Sequence, residues 1–133
     1  MWLLKTEPGA YGYADLERDG GTTWDGVRNP AALKSLRGMK VGDPVVIYHT
    51  GKERAAVGIA RVTRAAYPDP SAGDPRLVVV DLAPKRRLAQ PVSLDEIKRL
   101  AVFAASPLVR QGRLSVVPLT AAQWKAIETR GAK

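Results

Sequence analysis

The sequence predicts an α+β fold: a small curled or barrel-like sheet of about five to six strands, with short helices at its openings. Three observations predict it. Several stretches have the length and composition of β-strands, short helices between them have clear start signals, and no regular β-α-β alternation connects them. With 133 residues, 45% of them hydrophobic, we expect one domain spanning residues 1–133 with its own core.

The chain begins with a predicted strand and a predicted short helix. Trp2–Thr6 has the alternation of a strand, and Pro8 and Gly9 end it. The stretch "YADLERDGG", which starts at Tyr13, then predicts a short helix that stops at Gly20.

A second helix is predicted to begin at Pro30. Asn29 suits the N-cap, and proline suits the first helical position because that position needs no backbone donor. Helical spacing then predicts a buried stripe formed by Leu33, Leu36 and Met39.

Four further strands are predicted along the rest of the chain. They are Val45–Thr50, Ala55–Tyr67, Arg76–Leu82 and Arg113–Val117. Gly58 lies inside the second of these, and a glycine within a strand predicts a bulge or the close approach of another group.

Two helix starts have the pattern of a capping box. Ser93 with Glu96 forms one, and Thr120 with Gln123 forms the other. Hydrophobic residues flank both boxes, and we expect Trp124 in the second to be anchored in the core.

The composition argues against disulfides and metal sites. The chain has no cysteine, and His49 is its single histidine, which leaves few ligands for a transition metal. Neither a signal peptide nor an apolar run long enough to span a membrane is visible. We therefore expect a cytoplasmic protein with no metal, with association with the nucleoid as an alternative.

No motif of an enzyme is visible either. The sequence lacks a G-x-S-x-G nucleophile motif, and its glycines do not have the spacing of a phosphate-binding loop. The formal net charge of +8 favours a polyanionic partner, although a basic surface that only aids solubility fits the same charge.

The stretch "TTWDGVRNPAALK" contains the strongest candidate for a binding site. Trp24 is predicted to lie in a turn, either as a plug over the core or as one wall of a pocket. Asp25, Arg28 and Asn29 follow it and offer the acceptor, donor and amide groups that fix the edge of a planar heterocycle. Tyr48 and His49, at the end of a predicted strand, offer a second wall.

Motifs along nearly the whole chain resemble those of the EVE domain, a family of the PUA-like superfamily. They are "WLLKTEP", "TTWDGVRNPAALKSLRGMKVGDPVVIYHT", "VGIARVTRAAYPDP", "PRLVVVD" and "RQGRLSVVPLT", in this order. The resemblance implies a small curled β-barrel with flanking helices. It also implies a reader of modified bases, 5-methylcytosine or 5-hydroxymethylcytosine in DNA above all, with no reaction and no cofactor of its own.

The resemblance also implies where this chain holds a ligand. The base-binding pocket would consist of Trp24, Asp25, Tyr48, His49, Thr50, Lys5, Thr6, Arg28 and Asn29. Its lip would be Arg113 and Ser115, and candidate phosphate contacts are Lys34, Arg37, Arg64 and Lys85.

A base within a duplex must leave the stack to enter such a pocket. We therefore expect base flipping, and we expect Trp24→Ala to abolish the preference for a modified base while leaving the fold intact. Restriction or modification proteins are the expected partners. Three alternatives stay open: an RNA-binding module, a small hydrolase or nuclease that uses His49, and a sensor of a nucleotide or small molecule.

Overall fold

The computed structural model describes residues 1–132 and has a six-stranded sheet at its centre. Its strands are β1 (Trp2–Thr6), β2 (Thr22–Trp24), β3 (Pro44–His49), β4 (Ala55–Pro68), β5 (Val78–Ser93) and β6 (Val116–Pro118). Their order in the sheet is β2-β5-β4-β3-β1-β6. Strands β1 and β3 are parallel, and the other neighbouring pairs are antiparallel.

The sheet curls into a half-barrel because its two longest strands are bent by register shifts. Pairing between β4 and β5 shifts at several points, and a further shift lies between Ile47 and Tyr48 of β3. Each such bulge bends a strand and increases its local twist. The predicted α+β class with a curled sheet of five to six strands is confirmed.

Short helices flank the sheet. They are α1 (Pro8–Tyr11), α2 (Tyr13–Asp19), α3 (Pro30–Gly38), α4 (Leu94–Lys98), α5 (Pro107–Arg110) and α6 (Ala121–Gly131), with a 3-10 helix at Ala101–Phe103. Helix α3 buries the predicted stripe of Leu33, Leu36 and Met39. Helix α2 ends at Gly20, whose φ of 71° is the left-handed conformation that favours glycine at a helix end.

The helix caps agree with the sequence patterns. The Asn29 side chain accepts from the backbone N–H groups of Ala31 and Ala32. Thr120 and Gln123 form the complete reciprocal box. Ser93 accepts from Glu96 N–H at 3.1 Å, but the Glu96 carboxylate approaches the Ser93 hydroxyl rather than the backbone, so only half of that box forms.

Two aromatic side chains join the helices to the core. Trp124 is half-buried and packs against the core, as expected of an anchor. The Tyr13 ring lies directly over Gly58, where a Cβ atom would be 2.5 Å from Tyr13 Cε2. This close approach, with the register shift between Ala56 and Gly58, is the reason for the glycine that the sequence placed inside a strand.

Three sequence expectations differ from the structure. Trp24 does not lie in a turn; it ends the edge strand β2, in register with Val80 of β5. Strand β5 does not end at Leu82 but continues to Ser93, because β4 is long enough to pair with it throughout. Strand β6 starts at Val116 rather than Arg113 and pairs with β1.

Within residues 1–132, none of the helices has both the length and the apolar character needed to cross a membrane.

Candidate functional site

A cavity of about 310 Å³ lies beside Trp24. We call it the Trp24 cavity, and its lining is Thr6, Tyr11, Thr22, Thr23, Trp24 and Asp25. Strand β1 contributes Thr6, helix α1 contributes Tyr11, and β2 with the residue after it contributes the rest. Three of the residues that the sequence singled out, Trp24, Asp25 and Thr6, are therefore brought together.

Trp24 is both a core residue and a wall of this cavity. Its exposed fraction is 9%, and it belongs to the main hydrophobic cluster. Trp24 therefore covers the core and also forms a wall of the cavity, the two roles between which the sequence left the choice open. Trp24→Ala would leave a cavity in the core, so we expect this variant to lose stability as well as the aromatic wall.

Tyr11 is the aromatic partner of Trp24, and the sequence reasoning did not single it out. The two ring centroids are 6.4 Å apart, and the ring planes meet at 85°. The phenol of Tyr11 donates to Asp19 Oδ2 at 2.9 Å. Burial raises the pKa of Tyr11, and the neighbouring Asp19 raises it further, so the hydroxyl stays protonated through neutral pH. The signal in the sequence was only a tyrosine two residues after Gly9.

The polar groups around the Trp24 cavity are mainly acceptors. The Thr6 hydroxyl donates to the Tyr11 carbonyl at 2.6 Å, and the Thr23 hydroxyl donates to Asp81 Oδ1 at 3.0 Å. Each hydroxyl has one hydrogen, so towards a guest both can only accept. The exposed carboxylate of Asp25 has no protein partner within residues 1–132.

Tyr48 and His49 do not line the Trp24 cavity, although the sequence suggested them as its second wall. They are only 3% and 8% exposed, although successive side chains of a strand point to opposite faces, so both faces of β3 are covered at this point. His49 Nε2 accepts from Tyr13 N–H at 3.0 Å, and Nδ1 lies 2.7 Å from Glu53 Oε1. Nδ1 therefore carries a proton, and neither ring nitrogen is free to act as the base of a hydrolase.

Lys5 and Thr50 are adjacent to the cavity residue Thr6 but are engaged elsewhere. Lys5 Nζ donates to the Gly112 carbonyl at 3.0 Å and lies 5.8 Å from the Tyr48 ring. Burial lowers the pKa of Lys5. Thr50 donates to the Thr6 carbonyl through its backbone N–H at 2.8 Å and its hydroxyl at 3.3 Å.

The predicted lip lies on the far side of β1. The Ser115 carbonyl accepts from Lys5 N–H at 2.9 Å, which fixes this segment beside β1, and Arg113 next to it is exposed. The segment thus lies along Lys5 rather than in the lining of the Trp24 cavity.

Arg28 and Asn29 lie outside the Trp24 cavity. The Asn29 carbonyl oxygen is committed to the cap of α3. Arg28 lines a second cavity of about 500 Å³, which we call the arginine cavity; its lining is Arg28, Pro30, Leu33, Arg37, Asp74, Arg76 and Leu77.

The four candidate phosphate contacts are spread over the surface. Arg37 lies in the arginine cavity, whereas Lys34 is exposed elsewhere on α3 and Lys85 is exposed on β5. The Arg64 guanidinium stacks 3.8 Å from the centroid of the Tyr67 ring. Among residues 1–132, no group of His, Asp and Glu has an arrangement that could hold a metal ion.

Comparison with known proteins agrees with the sequence motifs. The sequence profile of the EVE domain family matches residues 1–130. Thymocyte nuclear protein 1 of Rattus norvegicus is 31% identical over 160 residues, which cover 95% of this chain and 71% of that protein.

Solved structures agree in fold. A crystal structure of a protein from Agrobacterium tumefaciens is 34% identical, with a TM-score of 0.94 over 98% of this chain and 91% of the other. The human THYN1 protein, in complex with DNA that contains 5-methylcytosine, is 28% identical, with a TM-score of 0.90 over 99% of this chain and 97% of that one. The PUA-like fold implied by the resemblance is confirmed.

Proposed function

This chain belongs to the EVE domain family, and from that premise we propose that it binds DNA carrying a modified cytosine. The human relative was solved with DNA that contains 5-methylcytosine. The observation that carries the proposal is the Trp24 cavity, where an aromatic wall, a second aromatic edge and an unpaired carboxylate surround a space of about 310 Å³.

The Trp24 cavity has the dimensions of a site for one base. Ligand pockets of proteins range from about 300 to 1,000 Å³, so this one is at the small end. Because the rings of Trp24 and Tyr11 are almost perpendicular, a planar guest stacks on one ring and meets the edge of the other.

The acceptors of the cavity favour a base with an amino group. Cytosine presents its exocyclic N4 amino group as a donor, and a carboxylate is a suitable acceptor for it. Thymine has a carbonyl oxygen at the same position, which would face Asp25 with two acceptors opposed. The proposal is therefore that Asp25 accepts from N4 of the bound cytosine.

The base has to leave the duplex to reach Trp24, which costs a few kcal/mol. Stacking on an aromatic ring returns about 1–3 kcal/mol, and a hydrogen bond to the charged Asp25 adds about 1.5–3 kcal/mol. A methyl group adds only about 0.8 kcal/mol, which is about fourfold in affinity. Discrimination between cytosine and 5-methylcytosine is thus modest in this proposal.

No reaction is assigned to the domain itself. A restriction or modification protein that acts on the selected DNA is accordingly part of the proposal, as is a location on the cell's DNA. The nuclear name of the relatives is in line with that location.

The test is a binding panel with one central base varied. Fluorescence anisotropy compares single-stranded oligonucleotides that carry cytosine, 5-methylcytosine, 5-hydroxymethylcytosine or thymine, and an RNA of matched sequence. We expect 5-methylcytosine to bind about fourfold more tightly than cytosine, and thymine to bind most weakly. Equal affinity for all four DNA strands would contradict the proposal. Tighter binding of the RNA would mean that the ligand is RNA instead of DNA.

A further inference from the structure

The arginine cavity has no role in holding the base, yet it is close to Trp24 in the fold. Trp24 is in register with Val80, and Leu77 of the arginine cavity precedes Val80 by three residues. Three residues of extended chain span about 10 Å. Arg28, which also lines the arginine cavity, follows Trp24 by four residues.

The lining of the arginine cavity combines cations with apolar groups. Arg28, Arg37 and Arg76 surround it, and Leu33 and Leu77 form an apolar part of its wall. With Asp74 as the one acid of the lining, the charge sums to about +2.

The three arginines differ in how far they are engaged by the protein. Arg76 donates two hydrogen bonds to Asp74, from Nε to Oδ1 at 3.2 Å and from Nη2 to Oδ2 at 3.0 Å. That contact holds the pKa of Asp74 below its usual value, so Asp74 is ionised and offsets Arg76. Arg37 donates one N–H to the Arg76 carbonyl at 2.7 Å and keeps its other donors. Arg28 makes no side-chain hydrogen bond within residues 1–132; its charge is felt by Asp69 and Asp74, but all of its N–H donors are available to a ligand.

We propose that the arginine cavity binds the nucleotide next to the base in the Trp24 cavity, with its phosphodiester on Arg28 and Arg37 and its sugar or base against Leu33 and Leu77. An arginine fork suits phosphate oxygens, and the cavity of about 500 Å³ has room for more than the phosphate. This second subsite rests on the proposed function. It binds an organic phosphate that either belongs to the same strand or is a free nucleotide.

Two substitutions test the subsite, one that removes a positive charge and one that removes a negative charge. Arg28→Gln removes a free cation, and we expect weaker binding of a single-stranded 5-methylcytosine oligonucleotide and a salt slope reduced by about 0.7, the value for one phosphate of a single strand. Asp74→Asn removes the only acid of the lining and keeps an oxygen for the turn at Arg76. We expect Asp74→Asn to bind the same oligonucleotide several-fold more tightly, and its affinity to fall more steeply with salt concentration.

Arg99→Gln is the matched control, because Arg99 is an exposed arginine after α4, at the opposite end of β5. We expect it to equal the parent, and circular dichroism checks that all three variants are folded. If Arg28→Gln behaves like Arg99→Gln, or if Asp74→Asn does not tighten binding, the subsite is overturned.

Small ligands separate this proposal from the proposed function and distinguish the two sources of phosphate. The nucleoside 5-methyldeoxycytidine lacks a phosphate, so we expect Arg28→Gln and the parent to bind it equally.

If the parent discriminates between bases but Arg28→Gln has no effect on oligonucleotides, only the subsite fails. If the parent does not discriminate between bases, the proposed function fails. Binding of free 5-methyldeoxycytidine monophosphate that is as tight as that of the oligonucleotide, and is weakened by Arg28→Gln, would identify a free nucleotide as the ligand.

Discussion

At the scale of single residues, the polarity of the Trp24 cavity depends on which polar groups are already engaged. The hydroxyl hydrogens of Thr6 and Thr23 are used within the protein. Asp25 is the exposed charge at the rim, and it can only accept. A site with this polarity is better suited to an amino group than to a carbonyl oxygen, whatever else the guest carries.

Asp25→Asn should therefore reduce the discrimination between 5-methylcytosine and thymine. The two bases share the methyl group and differ at the amino or carbonyl position, and an amide can donate as well as accept. We expect a preference of about tenfold in the parent to fall to about twofold in the variant. Asp95→Asn, an exposed carboxylate on α4, is the control. An unchanged preference in Asp25→Asn would remove Asp25 from the contact with the base.

Residue types and spacing revealed part of this site but not its second aromatic side chain. Trp24 and Asp25 could be found because a large aromatic residue followed by polar groups is unusual in a short segment. Tyr11 could not, because it reaches Trp24 through the four-residue helix α1, which has no periodicity of its own. Tyr48 and His49 were misplaced because the end of a strand does not reveal which of its side chains will be covered by neighbouring strands.

At the scale of secondary-structure elements, Tyr13 joins the helix α2 closely to the sheet. The Tyr13 ring covers Gly58 of β4, and the Tyr13 hydroxyl donates to the Ile59 carbonyl at 2.7 Å. Helix α2 follows Tyr11 by one residue, so its position also sets the position of the aromatic edge in the Trp24 cavity.

Gly58→Ala should destabilise the fold by about 2 kcal/mol, the typical cost of overpacking a core. The added Cβ atom would be 2.5 Å from a ring carbon of Tyr13, so the ring or the strand has to move. Urea denaturation measures the change. Gly112→Ala is the control, because a Cβ atom there meets open space and its φ is not positive. Equal stability of the two variants would contradict the close packing of Tyr13 on β4.

A second contact between elements should make the stability of the fold depend on pH in the acidic range. Asp43, in the turn before β3, accepts from Trp2 Nε1 of β1 and from Lys40 N–H, both at 2.9 Å. Partial burial acts to raise the pKa of Asp43, but these two hydrogen bonds outweigh it, and the net shift is downward from the usual value of 3.8. A carboxylate with a lowered pKa stabilises the fold above the unfolded value, and that stability is lost as the pH falls through the folded value.

Asp43→Asn should thus destabilise the protein by about 1 kcal/mol at neutral pH, and the difference from the parent should shrink below about pH 4. Thermal denaturation of both proteins across this range measures it. A difference that stays constant down to strongly acidic pH would show that the charge of Asp43 contributes nothing.

The order of elements could be predicted from the sequence more completely than their lengths. Strand β5 was predicted to end at Leu82, where the apolar run ends; the stretch that follows, "APKRRLAQP", contains prolines and adjacent charges that are typical of a loop. In the structure this stretch pairs with β4 through shifted registers, where Pro84 lies opposite Ala60. Local preference was overridden by a long partner strand, which no window of the sequence reveals.

At the scale of the whole molecule, the proposed function has the net charge and the cavities contact different parts of a nucleic acid. A formal charge of +8 attracts phosphates of any sequence, and this attraction weakens with salt. Under the proposed function, the Trp24 cavity contacts a base only after the base has left its stack. The free energy of binding a duplex then has two parts, a favourable attraction to the phosphates and an unfavourable cost of extruding the base. A change in the pairing of one base alters only the cost of extrusion.

We accordingly expect a mispaired 5-methylcytosine to bind more tightly than a paired one. Extrusion costs least for a base that is already mismatched, so a duplex with a mismatch opposite the modified base should bind about tenfold more tightly than the matched duplex. The same mismatch placed a few base pairs away leaves the charge and length of the DNA unchanged, and it should have little effect. Competition measurements at one salt concentration compare the three duplexes. Equal affinity for the matched duplex and the duplex mismatched at the modified base would mean that the base is not extruded, and that the protein contacts the groove instead of enclosing the base beside Trp24.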